Sequence, residues 1–67
     1  MHTKRECAEM MLRTQCPYID KQMPAEMIDK LIEGICQRQG NDFINDFKTD
    51  TGLSIEYFGG GMYKITY

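Results

Sequence analysis

The sequence predicts an α+β fold in one domain spanning residues 1–67: three helices, then a C-terminal two-stranded antiparallel β-hairpin packed on the second and third. Three observations carry this. A capping-box pattern opens a helical stretch near the N-terminus. The middle of the chain has the strongest helical periodicity. The last fifteen residues, LSIEYFGGGMYKITY, alternate in polarity on either side of three glycines.

The first helix is expected over residues 4–15. Thr3 and Glu6 fit the N-cap and N3 positions of a capping box, in which each side chain satisfies the other's backbone N–H. Cys7, Met10, Met11 and Thr14 follow at helical spacing, and Pro17 biases Cys16 out of the helical region. The connection CPYIDKQM should fold Tyr18, Ile19 and Met23 back onto the core.

Pro24 suits the first turn of the second helix, where a missing N–H costs nothing. Met27, Ile28, Leu31, Ile32, Ile35 and Cys36 then recur at one-turn spacing, which marks the central core helix. Gly34 weakens it by about 1 kcal/mol relative to Ala, and close approach by another element is the expected reason. Gly40 is a natural left-handed terminator. Asn41 is then the expected N-cap of a third helix over residues 42–50, with Phe43, Ile44 and Phe47 inside and Gly52 at its end.

In the hairpin, a Gly59-Gly60-Gly61 tip sets Phe58 opposite Met62, Tyr57 opposite Tyr63, Glu56 opposite Lys64, Ile55 opposite Ile65 and Leu53 opposite Tyr67. Each pair matches in chemistry, and a one-residue slip would turn every inner side chain outward. Leu53, Ile55, Tyr57, Tyr63, Ile65 and Tyr67 form the apolar face. Both outer edges stay open unless a third strand or another chain covers one.

Composition narrows the function classes. A chain this short buries only about 60% of its unfolded surface, leaving little room for a concave catalytic pocket. The only His is residue 2, at an end expected to fray, and no nucleophile has a base at recognisable spacing, so no catalytic residue is expected. Cys7, Cys16 and Cys36 lack the paired spacing of a zinc site, and FGGGMYK leads into a strand, unlike a phosphate-binding loop. No metal or cofactor is expected. Three thiols, no apolar run of about 20 residues and no signal-like core after MHTKRECAEMM point to a cytoplasmic protein with reduced cysteines. The methionines around the first two helices, Met10, Met11, Met23 and Met27, are expected to fill gaps in a small core.

The element order is like that of a winged helix, in which the third helix would enter a nucleic-acid groove. Charge opposes this. Net charge is −2, and the outward face of the third helix carries Asp42, Asp46 and Asp50 at four-residue spacing beside Lys48 alone. Carboxylates lined up on phosphates repel, and DNA affinity comes largely from Lys and Arg neutralising phosphates. Direct nucleic-acid binding is therefore disfavoured. The leading expectation is a small non-enzymatic interaction protein, of the accessory-inhibitor kind that phages encode. It would block or modulate a macromolecular partner such as a basic nucleic-acid-binding protein. The contact residues would be Asp42, Asp46 and Asp50 with the hairpin tyrosines Tyr57, Tyr63 and Tyr67, since Tyr is enriched at binding hot spots. The alternative is a winged-helix-like transcriptional regulator using Lys4, Arg5 and Arg13. A homodimer joined at the hairpin edge is the third class.

Overall fold

A computed structural model describes residues 1–67, except for the side chain of Asp20. Its order is β1 (His2–Thr3), α1 (Lys4–Gln15), α2 (Ile19–Gln22), α3 (Ala25–Cys36), α4 (Gly40–Thr51), β2 (Ser54–Gly59) and β3 (Met62–Thr66). The three long helices and the C-terminal hairpin are those the sequence predicts, with a one-turn helix and a two-residue strand added.

α1 begins on the anticipated box. The Thr3 hydroxyl accepts from the Glu6 N–H at 3.2 Å, and the Thr3 N–H donates to Glu6 Oε1 at 3.0 Å. The hydrogen bonds from Thr3 hold the Glu6 carboxyl below its usual range. The helix ends at Gln15, before the Cys16–Pro17 step. Ile19 then turns in and is buried, while Tyr18 stays exposed at 64%, against expectation. The sequence left this α2 turn as a plain connection.

The core centres on α1 and α4 rather than on α3. Cys7, Ala8, Met11 and Leu12 of α1 meet Phe43 and Phe47 of α4, with Ile19, Ile32, Ile35 and Ile55 completing the buried set. α1 packs on both α3 and α4 and also touches β1 and β3. The helix with the strongest periodicity is thus a flank. Only Ile32 and Ile35 of α3 are buried, and Met27 and Leu31 stay substantially exposed at 50% and 40%. The physical reason is position. The small Cys7 and Ala8 let α1 sit at the centre, so α3 is covered on one side only. Among the methionines, Met11 is buried and Met10 and Met23 partly so, whereas Met27 fills no gap. Nothing lies within 4 Å of where a Gly34 Cβ would be, so no close approach explains that glycine.

Gly40 takes φ +47°, as a left-handed glycine should, but it heads α4 instead of ending α3. Gln39 is the N-cap of α4, and Asn41 lies inside the first turn. Gly52 closes α4 at φ 73° with its N–H on the Lys48 carbonyl at 2.9 Å.

The sheet order is β1-β3-β2. Ser54 pairs with Thr66, Ile55 with Ile65, Glu56 with Lys64 and Tyr57 with Tyr63. That is the register the chemistry of the pairs predicts. At the tip, however, Gly59 and not Phe58 faces Met62, and Phe58 is left in a bulge. Left-handed φ at all three tip glycines, from 61° to 92°, makes room for the extra residue. The ladder stops at Ser54 and Thr66, so Leu53 and Tyr67 form no pair, and Tyr67 stands fully exposed. The inner face of the hairpin rests on α4, with α1 reaching β3 beside it. β1 was not anticipated. It pairs His2 with Tyr63 and Thr3 with Met62, covering part of one edge and taking His2 out of a frayed end.

Candidate interaction surface

The three aspartates of α4 lie on one side of the helix, as their spacing requires, but two of them are not free. Arg38, in the turn before α4, sets Nη1 3.1 Å from Asp46 Oδ2 and 3.8 Å from Asp50 Oδ2. Asp50 is drawn in far enough to leave its side chain only 16% exposed. The Arg38 carbonyl also accepts from Lys4 Nζ, which sits 5.1 Å over the Phe43 ring. One residue therefore ties the head of α1 to the turn before α4 and to α4's polar face. The row of acids is in large part a clasp that closes α4 against that turn. Asp42 is the exposed remainder, with no ion-pair partner among the described residues. Its place in the first turn suits the positive end of the helix dipole.

The N-terminal bases are engaged as well. Arg5 Nη2 lies 2.7 Å from Asp29 Oδ1, and Arg13 Nη2 lies 2.9 Å from Glu9 Oε1. With Lys4 bound to the Arg38 carbonyl, the residues a DNA-binding reading would use carry internal partners.

The hairpin tyrosines separate into two kinds. Tyr63 is half-buried, 5.4 Å from Phe43 and 5.1 Å from Tyr57 between ring centroids, both tilted. Burial raises its phenol above the usual pKa, with Tyr57 and Cys7 adding smaller contributions. Tyr63 is thus a structural rung. Tyr57 continues the row outward and is 54% exposed, with its hydroxyl accepting from the Gly61 N–H at 3.2 Å. The three rings form a ladder from the core, Phe43 to Tyr63 to Tyr57, that ends at the outer strand.

Phe58 is an exposed ring that the sequence did not single out. The bulge swings it out, and it is 53% exposed with Lys64 Nζ 5.8 Å over its ring. Three glycines after Phe58 suggest a three-residue loop, but the turn takes only Gly60 and Gly61, so Gly59 joins the strand and Phe58 bulges. Arg38 was also missed, because only the turn at Gly40 brings it back over residues eight and twelve positions later.

β2 is an edge strand. Among the described residues no backbone hydrogen bond from an element other than β3 reaches Ile55–Phe58. Among them, too, no three His, Cys, Asp or Glu side chains are grouped as metal ligands would be, and no helix is long and apolar enough to cross a membrane. A second exposed apolar area lies on α3, at Met27 and Leu31.

The fold and this surface define a small α+β protein with an aromatic, open-edged hairpin. No protein-family model, no curated protein sequence and no solved structure matches the chain.

Proposed function

We propose that this protein is a small, non-enzymatic interaction module that binds a protein partner through its hairpin and so blocks or modulates that partner. Tyr57, Phe58 and Tyr67 supply the aromatic contact, and Asp42 supplies a negative charge at the head of α4. The single observation behind this reading is that all three rings are more than half exposed, although only ten of the described residues are buried. A fold of these 67 residues with so few buried side chains gains by burying such rings, and aromatic anchors are among the side chains that dominate binding energy. The Arg38 clasp shifts the weight of the reading from the acidic helix to the hairpin, because Asp46 and Asp50 already have a cation.

The test is quantitative capture of binding partners from the native host by wild type, Tyr57→Ser/Phe58→Ser and Asp42→Asn, each checked for a native circular dichroism spectrum. The hairpin variant should lose the specific partner while Asp42→Asn weakens it only modestly. Retention of every partner by the hairpin variant would refute the reading. A wild-type chain that bound duplex DNA with a steep salt dependence would replace it with the regulator.

A further inference from the structure

We infer that the open edge of β2 takes an antiparallel strand from the partner, with a basic residue opposite Glu56 and an aromatic residue opposite Tyr57. This rests on the hairpin reading above and names the mode of binding. An edge strand turns alternate N–H and C=O groups outward, and these template a further strand. Along Ile55–Phe58 they have no partner in another element among the described residues.

The strand already paired with β2 shows which side chains fit. β3 offers Tyr63 to Tyr57, Lys64 to Glu56 and Ile65 to Ile55. Glu56 and Tyr57 face the vacant side with the same charge and the same ring that they present to β3, and cross-strand pairs of this type stabilise a sheet. The aromatic ladder also ends there, at the half-exposed Tyr57, 5.1 Å from Tyr63. A ring on the incoming strand adds one more rung.

The same features select against a second copy of β2. Its sequence, SIEYFG, contains no base to meet Glu56. A symmetric pairing about residue 56 sets Glu56 against its own copy, and one about Tyr57 runs into the bulge after Tyr57. The charge on the edge therefore asks for a foreign, basic strand.

The probe is the acetylated and amidated hexapeptide MYKITY, which has the sequence of β3 and the final tyrosine, with MYEITY as its control. Both are titrated into the 15N-labelled full chain and followed by NMR. MYKITY should shift amide signals along Ser54–Tyr57 and bind about two- to fivefold more tightly than MYEITY. In Glu56→Lys the preference should invert. Shifts confined to other elements, no shift at millimolar peptide, or a preference that survives Glu56→Lys unchanged would each overturn the inference. So would concentration-dependent dimerisation that Glu56→Lys leaves unaffected, since the edge would then be filled by a second copy. Loss of the partner in Tyr57→Ser/Phe58→Ser without any peptide effect at β2 leaves the hairpin reading standing and removes only this mode. Peptide binding at β2 with the partner retained by that variant does the reverse.

Discussion

Replacing Arg38 with Gln removes the guanidinium while keeping a side chain of similar reach and the backbone carbonyl that Lys4 uses. Two contacts are lost, at 3.1 Å to Asp46 and 3.8 Å to Asp50. Exposed pairs contribute about 0.2–1 kcal/mol each. The Asp46 pair belongs at the low end because both partners are well solvated, and the Asp50 pair higher because Asp50 is largely withdrawn from water. Without the cation, Asp42, Asp46 and Asp50 also repel at four-residue spacing, at about 0.2–0.5 kcal/mol per neighbouring pair. The sum is about 1 kcal/mol of lost stability. In urea, with a slope of about 1 kcal/mol/M, the midpoint falls by about 1 M, and Tm falls by roughly 4–8 °C. The sharper assay is a double-mutant cycle. Asp50→Asn should destabilise wild type but stabilise the Arg38→Gln background, because the same carboxylate is attracted in one and repelled in the other. The coupling should shrink in 1 M NaCl, where screening acts over about 3 Å. Additive effects, with Asp50→Asn carrying the same sign in both backgrounds, would show that the clasp contributes nothing and that the acidic row is an independent surface.

Other outcomes follow from single residues. Gly34→Ala should raise stability by about 1 kcal/mol in a urea titration, since the position is helical, exposed and free of any neighbour that a methyl would meet. Gly52→Ala should lower it by about 1–2 kcal/mol in the same titration, because φ 73° crowds a Cβ. Thr3→Ala should cost about 1 kcal/mol through loss of the cap, while the Glu6 carboxyl, titrated by NMR, should rise only part of the way to its ordinary range because the residue-3 backbone N–H still donates to it. Burial pushes the Cys7 thiol up to about 11 from an ordinary 9.0, with Glu6 and Cys36 contributing less. A pKa raised on folding stabilises fully below the unfolded value and is lost as pH rises through the folded one. Urea midpoints should therefore be unaffected by this thiol below pH 9 and decline between pH 9 and about 11. Thiol labelling at neutral pH should reach Cys16 and Cys36 well before Cys7.

Much of the architecture was legible because local chemistry dictated it. The Thr3–Glu6 box, the stop at Pro17 and the three central hairpin pairs, Ile55–Ile65, Glu56–Lys64 and Tyr57–Tyr63, each act over a few residues and appear as read, whereas the pairs expected at the tip and the base of the hairpin do not form. What was illegible is set by tertiary position. Periodicity reports that α3 has an apolar face but not how much of it is covered, so Met27 and Leu31 read as core and stand exposed. Spacing placed Asp42, Asp46 and Asp50 on one face but could not show that Arg38 reaches two of them. His2 and Thr3 are too few to carry a strand pattern, so β1 had no signature at all. Tyr57, Tyr63 and Tyr67 were read as equivalent. Only the sheet's geometry separates the rung from the exposed rings.

The pairing of β1 with β3 also governs when this fold can be completed during synthesis. His2 and Thr3 leave the ribosome before the rest of the fold, yet their partners Tyr63 and Met62 are made much later in the chain. α1 can form early on its own cap, but its docking strand must wait until β3 has cleared the exit tunnel. The nascent chain thus carries an unzipped sheet until that point. A fusion that holds β3 inside the tunnel should keep residues 2 and 3 open to protease long after the helices have formed.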